Sequence, residues 1–274
     1  MIRTLSRGTT ELAELNMSDI LARHLARVPA HRALIRTLEH RLFAQETVTH
    51  PVLDIGCGDG HFAAVAFPGG IDVGIDVAES IVREAERNGS YVCVNVASAV
   101  ELPYADATFR TVISNCVVEH IPDIESVVRE VARVLTPGGR FIFTVPNDRF
   151  TEMLFTVRTL KRIGLADLAA RYGRWWNRRA AHHHLDAPQV WSERLAGYGL
   201  TVDAWIPYMS LGATGVFELA HYFAIPSLAF RWLIGRWVLW PAHARASYAY
   251  RWLNPYAEEP WPAAGSCTFF VAHK

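Results

Sequence analysis

Residues 52–63 read VLDIGCGDGHFA, an apolar run that gives way to glycines at alternate positions, Gly56, Gly58 and Gly60. No other stretch restricts the fold as much. Apolar residues followed directly by glycines describe a buried strand that ends in a tight turn, where missing Cβ atoms let the backbone approach a ligand. Such a turn needs a sheet to stand on, and the sequence after it supplies one. Strand and helix patterns alternate through IDVGID, AESIVREAERN, YVCVNV, FRTVISN, IESVVREVARVL and RFIFTVP, with Pro137 and Gly138 stopping the second of these helices. Repeated units of this length build a parallel sheet covered by helices on both faces. Ahead of the glycines, residues 10–28 and 30–46 carry apolar side chains at helical spacing on either side of Pro29, which predicts two opening helices.

After Pro146 the alternation ends, and all nine tryptophans lie between Trp175 and Trp261. APQVWSERLAGYGL reads as a helix, and TVDAWIPY and SCTFFVAH as two more strands. The stretch 208–264 between those strands is too long for a hairpin turn, so a helical insertion with its own packing is expected there. The chain therefore divides into N-terminal capping helices (1–47), a core made of 48–207 and 265–274, and the Trp-rich insertion (208–264). The expected fold class is α/β, a doubly wound sheet, mostly parallel with an antiparallel last strand.

Lysine plus arginine and aspartate plus glutamate both number 27. No basic excess points to nucleic-acid phosphates, and a small-molecule partner is expected instead. Four scattered cysteines without CxxC spacing read as reduced, buried thiols of a cytoplasmic protein. The first residues lack the apolar core of a signal peptide and read as a mature, intracellular start. The most apolar region, 211–240, is interrupted by Glu218, Arg231 and Arg236, short of the ~18 uninterrupted apolar residues of a membrane span.

The ligand follows from what the glycine turn lacks. Counting from Gly56, the third glycine of a dinucleotide fingerprint is replaced by His61, and no Gly-Lys-Ser/Thr ending is present to cradle a triphosphate. Asp54 and Asp59 flank the turn; carboxylates repel phosphate but favour ammonium and sulfonium charge. S-adenosylmethionine carries both.

With these residues in view, VLDIGCGDGHFA resembles the first motif of class I S-adenosylmethionine-dependent methyltransferases, whose fold is Rossmann-like. GIDVAES, ELPYADATFRTVISNCVVEHIPD and EVARVLTPGGRFIFTVPN follow in the family's order, and GYGLTVDAWIP with the terminal strand is similar to its sixth and seventh strands. The resemblance implies cofactor contacts from Asp54, Gly56, Cys57, Gly58, Gly60, Asp76, Val77, Ser98, Ala99, Asn115 and Cys116, with Asp76 on the ribose hydroxyls. Ser98 departs from the pattern, because the family places there an aspartate that contacts the adenine amino group. A serine oxygen still accepts that bond, without the charge. The product of the cofactor would be S-adenosylhomocysteine.

Methyl transfer needs alignment and a dry site more than obligatory side chains, and a hydroxyl acceptor gains from a nearby base. His120, just past the fourth strand, is the first candidate for that base, and His183 in AAHHHLDAP is the second. Three consecutive histidines do not share one face, so no metal site is expected from them. RYGRWWNRR reads as a solvated basic face with its tryptophans turned inward. The insertion reads first as a lid over a large or apolar acceptor, and second as a peripheral contact with the inner membrane surface. The expected function is methylation of a small molecule, most simply at oxygen, in a biosynthetic pathway. The rival is a catalytically inactive methyltransferase-like module that contacts lipid or a protein partner. A nucleic-acid methyltransferase is disfavoured by the zero net charge and by NCVVEH standing where an Asn/Asp-Pro-Pro-Tyr/Phe motif would follow the fourth strand.

Overall fold

Strand β1 (Val52–Ile55) is buried at every residue, as a strand covered on both faces must be. The computed structural model of the chain describes residues 16–224 and 247–274. Around β1 assemble β2 (Ile71–Asp76), β3 (Tyr91–Val96), β4 (Phe109–Asn115), β5 (Leu135–Pro146), β6 (Thr201–Tyr208) and β7 (Cys267–His273). They form one seven-stranded sheet in the order β3-β2-β1-β4-β5-β7-β6. β1 pairs parallel with β2 and β4, and β2 with β3 and β4 with β5 likewise. β7 runs antiparallel to both of its neighbours, as expected from the sequence. The chain winds outward from β1 first toward β3 and then toward β5. That places a crevice at the carboxyl ends of β1 and β4, where open α/β sheets bind ligands.

Helices α1 (Met17–Leu25), α2 (Ala30–Phe43), α3 (His61–Ala66), α4 (Glu79–Asn88) and α5 (Ile124–Val134) fall within the expected positions; residues 10–15 of the first expected helix lie outside the described residues. Pro137 and Gly138 do not lie in a free turn after α5. They sit within β5, whose Leu135 pairs with Phe109 before regular pairing resumes at Arg140, so the two residues occupy a register shift. Past β5 the sequence offered no elements before residue 187, yet three helices stand there: α6 (Phe150–Met153), α7 (Phe155–Arg162) and α8 (Ala166–Arg179). α9 (Pro188–Ala196), with proline in its first turn, precedes β6. α10 (Leu211–Phe223) and α11 (Tyr248–Ala257) represent the insertion; its stretch 225–246 lies outside the described residues.

The sheet separates two apolar cores. One holds α5 and α9 against it through Val127, Val131, Trp191 and Leu195. The other joins α1, α2, α7, α8, α10 and α11 in a continuous cluster that includes Leu34, Leu38, Val157, Trp176, Val216 and Leu253. The two described helices of the insertion thus pack into the same core as the N-terminal pair. Glu218 of α10 is fully buried and accepts from the Tyr172 hydroxyl and from the Thr156 backbone N–H, binding α10 to α8 and α7. Among the cysteines, Cys57 and Cys267 are buried, Cys116 is half-buried and Cys93 is exposed. Cys93 departs from the expectation because β3 is an edge strand, exposed at the successive residues Val92 and Cys93, which point to opposite faces.

Candidate functional site

The glycine turn is built as its residue types require. Gly56, Gly58 and Gly60 all have φ between 55° and 76°, the left-handed region that favours glycine. A Cβ on Gly56 would lie 2.4 Å from the Val117 methyls, whereas one on Gly58 would meet only open space. The turn is pinned from β2: the backbone N–H groups of Gly56 and Cys57 both donate to the Ile75 carbonyl. Asp76, next along β2, accepts from the Gly58 N–H at 3.2 Å and the Ala78 N–H at 3.0 Å. Its carboxylate keeps further acceptor capacity. Asp54 is buried, accepts from the Tyr91 hydroxyl at 2.7 Å, and is pushed up by burial to about 6. Burial also drives the Cys57 thiol upward, which leaves it inert.

Residues 97–99 lie beside Asp76, since the Ala97 N–H donates to the Asp76 carbonyl. Ala99 is buried, and the hydroxyl of the exposed Ser98 accepts a long bond from the Val100 N–H at 3.4 Å. Val77 is 71% exposed. Asn115 ends β4 with its side chain buried; Oδ1 accepts from the Thr144 hydroxyl at 2.7 Å, while Nδ2 has no partner. Cys116 follows at φ 52°, held in that conformation by its N–H donating to both the carbonyl and the hydroxyl of Thr144. The fold therefore gathers every cofactor residue expected from the sequence at the ends of β1, β2, β3 and β4. An open glycine cradle, an acidic residue with spare lone pairs and an orphaned amide N–H fit a ligand that carries hydroxyls and a carboxylate.

A cavity of about 280 Å³ adjoins this corner at Cys116. Its floor is polar, from Cys116, Glu119, His120 and Arg36, and its walls are largely aromatic, from Phe150, Trp175, Trp176 and Phe217. Arg36 of α2 donates to Glu39 at 2.6 Å and to the Asn115 carbonyl at 3.3 Å. Burial opposes its charge, but Glu39 overcomes that and holds the guanidinium fully protonated. Glu39 also accepts from the Tyr208 hydroxyl at 3.1 Å, and the Cys116 thiol lies 3.1 Å from the same carboxylate oxygen. The N-terminal helices thus complete the site.

His120 lines the cavity as expected. Its Nδ1 lies 3.1 Å from the Ala181 carbonyl, which makes Nδ1 the protonated nitrogen and leaves the Nε2 lone pair free. Its ring stacks on His182 at 5.4 Å, and burial lowers its pKa. His183 is exposed and reaches the site only through its backbone, whose N–H donates to the Glu119 carbonyl at 2.9 Å. The cavity wall takes His182 instead, pushed down by burial to about 4. Of the two tryptophans in RYGRWWNRR only Trp176 is buried; Trp175 stays 44% exposed, beside Arg171, Arg174 and Arg178. Among the described residues no cluster of three histidine, cysteine or acidic side chains could hold a metal ion. No described helix is long and apolar enough to cross a membrane.

Sequence reasoning missed Glu119. It is 1% exposed, lies on the cavity floor, and its Oε2 has no hydrogen-bond partner. Burial raises its carboxyl to about 8. The only signal was an acidic residue inside an otherwise apolar segment, VVEHI, directly before the histidine that drew attention.

Sheet order, glycine turn and strand-end residues are together those of a Rossmann-like methyltransferase fold. Residues 53–143 match the family model described as a methyltransferase domain. The chain is 31% identical over 158 residues to a ubiquinone biosynthesis O-methyltransferase of Mesorhizobium japonicum, a match covering 55% of this chain and 59% of the relative. It is 29% identical over 128 residues to a demethylmenaquinone methyltransferase of Symbiobacterium thermophilum, covering 42% and 51%. The chain thus spans little more than half the length of these curated relatives. Among solved structures, it superposes on an S-adenosylmethionine-dependent methyltransferase of Thermotoga maritima, described as a possible histamine N-methyltransferase. That match has a TM-score of 0.54 and 15% identity, covers 89% of this chain and 91% of the other, and shows the fold alone.

Proposed function

We propose that the protein methylates a small-molecule hydroxyl, with the cavity beside Cys116 receiving the acceptor. The observation that supports this reading most is the contact between the two halves of the site: Cys116 closes the cofactor corner and floors the cavity. Bound at the corner, S-adenosylmethionine would supply a sulfonium methyl group. Asp76 would hold the ribose hydroxyls, Asn115 Nδ2 would donate to the methionine end, and Ser98 with Ala99 would border the adenine. The aromatic walls would exclude water and orient a flat or apolar acceptor. The relatives' names, ubiquinone biosynthesis O-methyltransferase and demethylmenaquinone methyltransferase, favour a phenolic precursor of a quinone. His120 would stand within reach of the acceptor hydroxyl, while His183 would act only by bracing the turn through its backbone.

The exposed Trp175 among arginines would bring the cavity mouth to an anionic membrane surface, in keeping with an apolar acceptor. Ser98 favours the second reading, a binding module without catalysis, because a weaker adenine contact lowers cofactor affinity. Calorimetry and turnover separate them. S-adenosylhomocysteine is expected to bind and NAD is not, and dihydroxybenzenes such as 3,4-dihydroxybenzoate are expected to be methylated. Tighter binding of NAD would overturn the cofactor assignment. Binding of S-adenosylhomocysteine with no turnover of any phenol would favour the binding module.

A further inference from the structure

Glu119 is the one carboxyl on the cavity floor without a partner for one of its oxygens. Its Oε1 lies 3.6 Å from His120 Nε2, and its Oε2 is buried with nothing to bond. An unpaired buried carboxyl is costly, and the fold positions it firmly. Its backbone carbonyl accepts from the N–H groups of both His183 and His184, so the AAHHHLD loop clamps the turn that carries it. His120 is set as its neighbour, because Nδ1 donates to Ala181 and only Nε2 can receive a proton. The His120 side chain is 39% exposed, so a proton received there can pass to water.

We infer that Glu119 is the catalytic residue that holds the acceptor hydroxyl and takes its proton, with His120 relaying that proton to solvent. The inference rests on the proposed O-methylation and deepens it. In the step, the acceptor O–H bond breaks toward Glu119 as the new O–CH₃ bond forms. The pair of the methyl–sulfur bond leaves on a neutral thioether, and the positive charge departs as the proton. Glu119 must be ionised to accept it. Burial and the Glu39 carboxylate raise its carboxyl, and Arg36 opposes them; Cys116, Cys267 and His120 also face it, and Arg32, Arg179 and His182 line the same cavity. The ionised fraction therefore grows as pH rises toward about 8, and turnover should rise along the same limb.

The test uses the full chain with methyl-labelled S-adenosylmethionine and a dihydroxybenzene series: catechol, 3,4-dihydroxybenzoate and 4-nitrocatechol. Glu119→Gln keeps the shape and can hold a hydroxyl but cannot take its proton. It should lower kcat ~10²-fold, with KM and the S-adenosylhomocysteine dissociation constant nearly unchanged and the rise toward pH 8 abolished. Glu119→Asp should restore the rise. Full turnover by Glu119→Gln with an unaltered pH profile overturns the inference. If S-adenosylhomocysteine binds but none of the phenols reacts, the reading of the acceptor has failed, and infrared spectroscopy decides Glu119 separately. A carboxylic acid band that titrates near pH 8 and vanishes in Glu119→Gln supports the poised group; a carboxylate already ionised at pH 6 overturns it.

Discussion

At the scale of single residues, Asp76 bears on two things at once. It fastens the glycine turn through the Gly58 N–H, and in the proposed function its remaining lone pairs would hold the ribose hydroxyls. Asp76→Ala removes both, and hydrogen bonds to a charged group are worth about 1.5–3 kcal/mol. S-adenosylhomocysteine binding should therefore weaken about 10- to 150-fold with the fold retained, and calorimetry returning an unchanged constant would remove Asp76 from the site. Asp54, Gly56, Gly58 and Asp76 were legible because each residue type answers a local need: a buried strand end, a left-handed turn, an acceptor at the next strand. Glu119 was not legible. What makes it chemically unusual is burial without a partner, and both depend on how the loop at 181–184 folds back over it. His183 was chosen over His182 for a similar reason. Three adjacent histidines are alike in sequence, and only the fold turns His182 into the cavity and onto the His120 ring while leaving His183 exposed.

At the scale of elements, α6, α7 and α8 escaped notice because their buried faces are small. α8 buries only Ala169, Gly173 and Trp176, a stripe in which two of three positions carry little apolar signal. Gly173 is needed there, since a Cβ would lie 2.5 Å from Thr151 Cγ2. α1, α2 and α3 were legible as helices, but the chemistry that joins them was not. His24, His40 and His61 meet in the core, each nearly or wholly buried, with His24 Nδ1 2.9 Å from His61 Nε2. Burial lowers all three, His40 and His61 to about 4, and His24 is further lowered by the other two histidines. Arg23, Arg27, Arg32 and Arg36 add to the lowering, and Asp59 alone opposes it, at His61. The folded values lie below the unfolded value of 6.5, so the stability they support is complete above pH 6.5 and is lost as pH falls from there toward 4. At about 1.4 kcal/mol per unit, moving from pH 6.5 to 5 should cost about 2 kcal/mol for each histidine that stays neutral. Urea midpoints at the two values measure this. His61→Phe should reduce the dependence, and a midpoint that does not move with pH would show that the trio protonates without cost.

At the scale of the whole molecule, the two cores on opposite faces of the sheet divide the work. Every expected cofactor residue stands at the ends of β1 to β4, whereas the cavity proposed for the acceptor is walled by α2, α6, α8 and α10 from the core on one face. Removing residues 212–258 behind a short linker should leave S-adenosylhomocysteine affinity within about twofold, the range expected of sites that share no partner. It should abolish methylation of 3,4-dihydroxybenzoate, because Phe217 and His221 leave the cavity wall. The deletion also carries a stability cost. Ala213, Leu253 and Ala257 are fully buried in the core shared with the N-terminal helices, and loss of Glu218 strips the Tyr172 hydroxyl and the Thr156 N–H of their acceptor. A lower melting temperature is therefore expected alongside intact cofactor binding. Should the shortened chain fail to fold, Phe217→Ala opens the same wall with one change, and is expected to raise the acceptor KM while leaving cofactor affinity alone. Sustained turnover in either variant would place the acceptor elsewhere on the sheet edge, and loss of S-adenosylhomocysteine binding by a folded variant would show that the cap shapes the cofactor corner as well as the cavity.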